Sequence, residues 1–220
     1  MISLNDQLEL FKLIGRILKD KIECLVIGGS AMMFYGAKEA TKDIDLVFMK
    51  ESDFDTTREV IRELGFEERT VIKKFKHLEI KKYEPAWMEG KNTRIDLFCK
   101  GVINIKISEA MLERVKEIHE FHNLTIKVIS PEDILFLKSA IERPRDKEDA
   151  MQLINKFNIN WDIIIKESIK QTEIGHYLFA VFLFDFLEEL KEDHKADIPK
   201  EVIKKVRKIA EEQMIKHIKK

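Results

Sequence analysis

The sequence predicts an α/β (α+β) fold in which a part that mixes strands and helices precedes a helical part. Apolar runs of strand length alternate with segments of helical periodicity up to about residue 129, whereas the rest of the chain shows helical periodicity only. The chain has 220 residues, 45% of them hydrophobic, which suffices for one large or two modest domains. We therefore expect one domain over residues 1–129 and a C-terminal helical domain over residues 130–220.

The apolar patterns predict the elements of the first part in chain order. We expect helices at 4–18, 31–35, 52–64 and 109–121, strands at 23–27, 42–48, 66–72, 77–83, 94–98, 102–107 and 125–129, and a loop at 85–92. In the second part we expect helices at 134–141, 161–171, 175–191 and 199–219, and a helix that starts within 143–149 and runs through 157. Ser130 and Pro131 have the residue types of a helix start.

Charge and composition exclude several classes of protein. The net charge is −1, so no global field points to nucleic acid or a membrane. The N-terminal residues lack the basic and apolar regions of a signal peptide, and no apolar segment reaches membrane-spanning length. The two cysteines, Cys24 and Cys99, lack metal-ligand spacing and are expected to be buried free thiols. These features predict a soluble cytoplasmic protein.

Two aspartates interrupt the apolar run of the predicted strand 42–48. Asp43 and Asp45 lie two residues apart, so a strand directs both carboxylates to the same face, about 7 Å apart. Two like charges at this distance favour a cation between them, and carboxylate oxygens suit Mg²⁺. A second interpretation stays open, in which Asp43 caps a loop and Asp45 pairs with a lysine at a sheet edge.

A glycine-rich turn precedes this strand. Gly28, Gly29 and Ser30 follow an apolar strand and precede a short apolar segment, with Ser30 as the expected N-cap of a helix. Backbone N–H groups at such a turn, together with the hydroxyl, suit a phosphate. The sequence thus predicts a phosphate site beside a metal site.

These motifs resemble the nucleotidyltransferase superfamily with the polymerase-β-like fold, over residues 22–98. Its signature is a strand, a Gly-Gly-Ser turn, a spacer and Asp-x-Asp on the next strand, followed by a third carboxylate on a later strand, which Asp96 supplies here. The resemblance implies a mixed-sheet nucleotidyltransferase core. It also implies catalytic and metal-binding roles for Asp43, Asp45 and Asp96, with Mg²⁺ or Mn²⁺, and nucleotide binding by Gly28, Gly29 and Ser30.

Within that superfamily the chain is most similar to the AbiEii-like toxin group. The resemblance lies in Ser130-Pro131-Glu132-Asp133, a helical lysine and a segment with arginine at 145 where the group's pattern has lysine. It implies that Lys138 touches the nucleotide phosphates and that Asp146 or Asp149 completes or orders the site. From the residues alone, Asp146 is as well explained as a helix cap and Asp149 as a partner of Arg145.

The resemblance implies transfer of a nucleoside monophosphate from an NTP to a hydroxyl of a tRNA, a protein or a small molecule. The AbiEii-like resemblance also implies a role in a toxin–antitoxin system, with an antitoxin partner, and the lack of a spanning apolar segment predicts no membrane association. A non-catalytic antitoxin or regulatory protein that binds nucleotide or a partner stays open as the alternative.

Three further features have two interpretations each. The lysines near the predicted 66–83 hairpin suit a polyanion or a soluble sheet edge. His119 and His122 would share a helix face that suits a transition metal, but no third ligand is near. The basic last helix suits RNA, whereas pairing with the acidic segment before it is the simpler account.

Overall fold

A computed structural model describes residues 1–69, 85–140, 143–175 and 178–218 of the chain. The chain forms two compact units, Met1–Ser130 and Pro131–Lys220. That these units are separate domains stays a prediction.

Strands and helices alternate in the first unit. The strands are β1 (Ile2–Ser3), β2 (Ile22–Ile27), β3 (Ala40–Thr41), β4 (Asp43–Phe48), β5 (Glu67–Arg69), β6 (Ala86–Glu89), β7 (Arg94–Cys99), β8 (Gly101–Val102), β9 (Ile105–Lys106), β10 (Glu117–Phe121) and β11 (Leu124–Val128). The helices are α1 (Leu4–Ile17), α2 (Gly28–Phe34), α3 (Glu51–Glu63) and α4 (Glu109–Glu113).

Within the described residues, seven strands form one mixed sheet in the order β10-β11-β2-β4-β7-β6-β5. Strands β11 and β2 are parallel, as are β4 and β7, and the other neighbours are antiparallel. The predicted mixed α/β fold is therefore confirmed. The central strands β2, β4 and β7 consist mostly of buried apolar residues, because they have a neighbour on both sides.

Helix α1 shows how the local sequence begins and orients an element of this unit. Ser3 and Asp6 form a reciprocal capping box at its N-terminus. Its apolar positions recur at helical spacing, and Phe11 and Ile14 are completely buried. The helix packs against α2, α3, β10 and β11.

The described part of the second unit contains helices and no strands. These are α5 (Pro131–Ser139), α6 (Pro144–Lys156), α7 (Trp161–Ile174), α8 (Phe179–Glu192) and α9 (Lys200–Ile218). Helix α8 packs against α5, α6, α7 and α9 and buries Phe179, Leu183 and Leu187. The predicted helical bundle is confirmed, with α8 at its centre.

Two sequence predictions about local structure are wrong. The predicted loop at 85–92 contains strand β6, because its backbone pairs with β7 and closes a hairpin whose turn has a Gly90 N–H to Thr93 C=O bond of 2.9 Å. The predicted helix at 109–121 ends at Glu113, and β10 follows it. Every residue of β10 pairs antiparallel with β11, so the sheet overrides the helix-forming residues there.

Because α4 ends at Glu113, neither His119 nor His122 lies in the helix that was predicted for them. His119 lies in β10, with its Nε2 atom 2.8 Å from the Glu117 carboxylate. His122 lies in the turn after β10 with a φ of +55°. They do not share a helix face, so the geometry proposed for a transition-metal site is absent at these residues.

Other differences are smaller. The predicted strand at 102–107 consists of the two short strands β8 and β9, which pair with each other. The predicted strand at 66–72 is seen at Glu67–Arg69. Residues 70–72 of it, the predicted strand at 77–83 and the lysines at 73, 74, 76, 81 and 82 lie outside the described residues.

Candidate active site

The sheet register brings the three predicted aspartates together. Asp45 of β4 pairs with Asp96 of the parallel neighbour β7, and Asp43 pairs with Arg94. Because paired residues of neighbouring strands project to the same face, the three carboxylates and Arg94 share one face of the sheet. Asp43 and Asp45 are half-buried and Asp96 is buried. The sequence alone placed only Asp43 and Asp45 on one face.

Arg94 lies between two of these carboxylates. Its Nε atom is 2.6 Å from Asp96 Oδ1, and its Nη2 atom is 3.0 Å from Asp96 Oδ2 and 2.9 Å from Asp43 Oδ2. Burial lowers the pKa of this guanidinium, but the hydrogen bond to Asp96 and the charges of all three aspartates raise it above its ordinary value. Arg94 therefore offsets part of the negative charge of the three carboxylates in this structure.

A bare backbone turn lies next to the carboxylates. Ile27, the last residue of β2, pairs with Asp45, and Gly28 follows with a φ of +60°. A Cβ atom on Gly28 would lie 2.8 Å from Asp45 Oδ2, so only glycine allows this approach. A Cβ atom on Gly29 would lie 2.7 Å from Thr41 Oγ1 and 3.5 Å from Lys38 Cδ. The turn thus places exposed backbone between an aspartate and a lysine.

Ser30 differs from the sequence prediction. Helix α2 begins at Gly28 and has no side-chain cap, so Ser30 is inside the helix and is not its N-cap. The residue is completely buried, and its Oγ atom donates a hydrogen bond of 2.5 Å to Gln7 Oε1. In this structure the hydroxyl is bound by the chain itself, and its nucleotide-binding role stays a prediction.

Lys138 and the two aspartates of the second motif come together in the second unit. The Lys138 Nζ atom is 2.9 Å from Asp146 Oδ1 and 2.6 Å from Asp149 Oδ2, and all three side chains are buried. Asp146 also accepts the Arg143 backbone N–H at 3.3 Å, so it caps α6 as well. The cap interpretation of Asp146 is correct, but it is only part of this residue's role.

Over residues 7–220 the chain matches the family described as nucleotidyl transferase of unknown function (DUF2204). The chain belongs to this family. It is an enzyme of the nucleotidyltransferase class, as the Gly-Gly-Ser and Asp-x-Asp motifs indicated. No curated protein matches the chain significantly. Among the described helices, none combines the length and apolar character that a membrane crossing requires.

Two solved structures are similar to this nucleotidyltransferase. ANT(2")-Ia, in complex with adenylyl-2"-tobramycin, is 12% identical with a TM-score of 0.47, covering 76% of this chain and 98% of that one. An antigenic nucleotidyltransferase-like protein from Paracoccidioides brasiliensis is 14% identical with a TM-score of 0.41, covering 70% and 78%. At these scores neither likeness carries weight for the function of this chain.

Nucleotidyltransferases of this kind generally use a divalent metal, and the donor atoms here suit one. Three carboxylates on neighbouring strands supply the oxygen ligands that Mg²⁺ prefers. Across the described ranges, however, no three His, Cys, Asp or Glu side chains form a ready-made metal site. In this structure Asp43 and Asp96 contact Arg94. The carboxylate oxygens of the three aspartates fit Mg²⁺ in kind.

Three contributors to this site were not recognised from the sequence. Arg94 adjoins the recognised Asp96, but its partner Asp43 is distant in sequence. Lys38 lies in the spacer of the motif and approaches the turn only through the fold. Trp87 pairs with Asp96 from a segment that was predicted to be a loop. Sequence spacing carries no signal for such contacts, because the sheet register creates them.

Proposed function

We propose that this enzyme transfers a nucleoside monophosphate from an NTP to a hydroxyl group of an acceptor, at Asp43, Asp45 and Asp96. The supporting observation is the row across the sheet in which the end of β2 pairs with Asp45 and Asp45 pairs with Asp96. This row sets the glycine turn on one side of the carboxylates and strand β6 on the other. Donor and acceptor then approach from opposite sides.

The donor triphosphate binds at the glycine turn. Gly28 and Gly29 are the first residues of α2, where backbone N–H groups have no partner within the helix, and the Lys38 side chain runs beside Gly29. An anion suits such a position, because backbone N–H groups and an ammonium group are hydrogen-bond donors only. The buried Ser30 stabilises the turn through two hydrogen bonds with Gln7, one from the Ser30 hydroxyl and one to the Ser30 carbonyl.

Asp43 and Asp45 hold the divalent ion, Mg²⁺ or Mn²⁺, and Asp96 serves the acceptor side. The ion supplies neutralisation of phosphate charge and activation of the acceptor hydroxyl. Arg94 offsets part of the negative charge of the carboxylates and has to release Asp43 and Asp96 when ligands bind. In the transfer step the acceptor oxygen forms a bond to the α-phosphorus, the bond to the β-phosphate bridge breaks, and Asp96 takes the hydroxyl proton as pyrophosphate leaves.

The finer assignments rest on the AbiEii-like resemblance. They are a toxin–antitoxin role with an antitoxin partner, nucleotide binding by Lys138 and Asp146, and an acceptor among tRNA, proteins and small molecules. Lys138 donates to two carboxylates in this structure, so a contact with a nucleotide would use the third N–H of its ammonium group or replace one of these partners.

Asp96→Asn tests the proposed function. The substitution keeps size but removes the charge that serves the acceptor, so it affects the transition state more than nucleotide binding. We expect transfer of α-labelled NTP to total RNA, protein or small molecules to fall by about a hundredfold or more, with metal-dependent NTP affinity changed by a few fold at most. Transfer is measured by labelling and affinity by thermal shift.

The matched control is Asp55→Asn, which removes an exposed carboxylate that pairs with Arg58 on α3. It should leave transfer and NTP affinity unchanged. Equal labelling by the parent and Asp96→Asn would show that Asp96 is not catalytic. Absence of transfer by the parent with every NTP would contradict the proposal itself.

A further inference from the structure

A groove of about 710 Å³ adjoins the carboxylates on the side away from the glycine turn. Its walls come from the end of β4, from β6 and β7, and from the turn that joins β6 to β7. The side chains that matter here are Lys42, Asp43, Trp87, Glu89, Lys91 and Arg94. Asp43 and Arg94 also belong to the candidate active site, so the groove and the site are continuous.

The sheet register gives the order of groups along this face. Asp96 pairs with Trp87 of β6, and Trp87 pairs with Arg69 of β5. Because neighbouring strands lie about 4.8 Å apart, the indole begins one strand away from the carboxylate that serves the acceptor. A ring that stacks on Trp87 therefore brings its substituents to Asp96. The glycine turn is on the opposite side of Asp45, so this position differs from that of the donor phosphates.

The backbone keeps this wall in place. Gly90 begins the turn after β6, and a Cβ atom there would lie 2.7 Å from the Phe66 ring, so the turn packs closely onto Phe66. Met88, between Trp87 and Glu89, is completely buried on the other face of the sheet. Trp87 is half-buried, and the residues on either side of it in β6 pair with β7. This pairing fixes the backbone at Trp87, so the side chain presents a defined surface to the groove.

Charge in the groove favours an anion. Both carboxylates are in ion pairs, Asp43 with Arg94 and Glu89 with Arg69. Lys42 and Lys91 are exposed, and within the ranges that the structure describes neither forms an ion pair. Within its described lining, the basic side chains of Lys42, Arg69, Lys91 and Arg94 outnumber the acidic side chains of Asp43 and Glu89, so this lining has an excess positive charge beside an aromatic surface. A polycationic acceptor would be repelled, whereas a phosphate group would be attracted.

We propose that this groove is the acceptor subsite, and that it takes a hydroxyl-bearing ring compound with a phosphate group. The ring stacks on Trp87, the phosphate lies at Lys42 and Lys91, and the hydroxyl points to Asp96. The inference rests on the proposed function, because Asp96 is assigned there to the acceptor. Nucleotides and sugar phosphates share this chemistry, and the test separates them.

Trp87 itself reports on the groove. The chain has two tryptophans, so Trp161→Phe leaves Trp87 as the only source of indole fluorescence. We titrate this variant with AMP and adenosine, and with glucose 6-phosphate and glucose. We expect a saturable change with at least one phosphorylated probe and none with its unphosphorylated counterpart, and the responding probe identifies the source of the ring.

Charge removal sharpens the measurement. Lys42→Gln together with Lys91→Gln should weaken probe binding at least about tenfold, the scale of a lost charge-assisted hydrogen bond. The matched control removes two exposed lysines elsewhere, Lys19→Gln together with Lys21→Gln, and should leave probe binding unchanged. If Trp161→Phe does not fold, 5-fluorotryptophan in the unaltered sequence gives two fluorine resonances, and Trp87→Phe assigns them.

The outcomes of these experiments distinguish failure of the acceptor subsite from failure of the proposed transfer function. No response of Trp87 to any probe, or an equal response to unphosphorylated probes, overturns the acceptor subsite. The same holds if Trp87→Ala weakens Mg²⁺–NTP binding in thermal shift as much as probe binding, because the groove would then hold the donor. Transfer that depends on Asp96, together with no response of Trp87, removes this inference alone. A response of Trp87 without any transfer by the parent removes the proposed function and with it the assignment of the groove to an acceptor, and leaves a groove that binds phosphorylated rings.

Discussion

The two units contain clusters of the same composition, one cation and two aspartates, in opposite surroundings. In the first unit Arg94 joins Asp43 and Asp96 on a sheet face, and its side chain is 40% exposed. In the second unit Lys138 joins Asp146 and Asp149 between helices α5 and α6, and its side chain is 7% exposed. Contact distances are similar in the two clusters, so burial is the main difference.

Burial decides what each cluster can do. Solvent screens the ion pair of Arg94 with the half-buried Asp43, so this pair contributes little free energy and can be exchanged for a ligand at small cost, whereas the pair with the buried Asp96 is screened less. The Lys138 cluster is cut off from water, so loss of one partner leaves buried charges without compensation. The comparison indicates that the first cluster is built for exchange and the second for stability, unless a nucleotide draws Lys138 out.

The largest expected effect is on stability in the second unit. Lys138→Met removes the cation between two buried carboxylates, and we expect the free energy of unfolding to fall by about 3–5 kcal/mol. Urea denaturation measures it. Lys205→Met is the matched control, since Lys205 pairs with Asp162 at 2.6 Å but is 55% exposed, and it should change stability by about 1 kcal/mol or less. Unchanged stability with weakened NTP binding would instead support the nucleotide-binding role of Lys138.

A smaller effect is expected at the buried pair beneath the first cluster. Ser30→Ala leaves Gln7 Oε1 without its donor in the core, so we expect a loss of about 1–3 kcal/mol in the free energy of unfolding. Ser52→Ala, at an exposed serine, should have little effect. If Ser30→Ala keeps stability but weakens NTP binding by about 1.5–3 kcal/mol, the hydroxyl leaves Gln7 to bind phosphate, as the sequence predicted.

The smallest effect is expected at the exposed cluster. Arg94→Ala removes a cation that competes for Asp43 and Asp96, and we expect Mn²⁺ to bind about threefold to tenfold more tightly without nucleotide. Electron paramagnetic resonance of free Mn²⁺ measures this. Arg62→Ala is the control, because Arg62 is also 40% exposed and also contacts two acidic residues, Glu59 and Glu68. Weaker Mn²⁺ binding in Arg94→Ala would show that Arg94 positions the carboxylates for the ion.

Segments with strong local signals were predicted well. The alternation of aspartate with apolar residues in β4, and the glycines after β2, are properties of a few adjacent residues, and the strands lie where these patterns indicated. Segment 117–121 was predicted wrongly because glutamate and histidine favour no strand by themselves. Its pairing with β11 decides its conformation, and that pairing is a tertiary interaction.

By itself the sequence determined the α/β and helical parts, the Asp-x-Asp strand, the glycine turn and the enzyme class, because each of these depends on periodicity or on a short motif. Only the tertiary structure decided that Arg94 pairs with two of the carboxylates, that Ser30 binds Gln7, and that Trp87 lies beside Asp96. These contacts join residues from different strands and helices. Their geometry follows from sheet register and burial, which act on side chains only after the chain has folded.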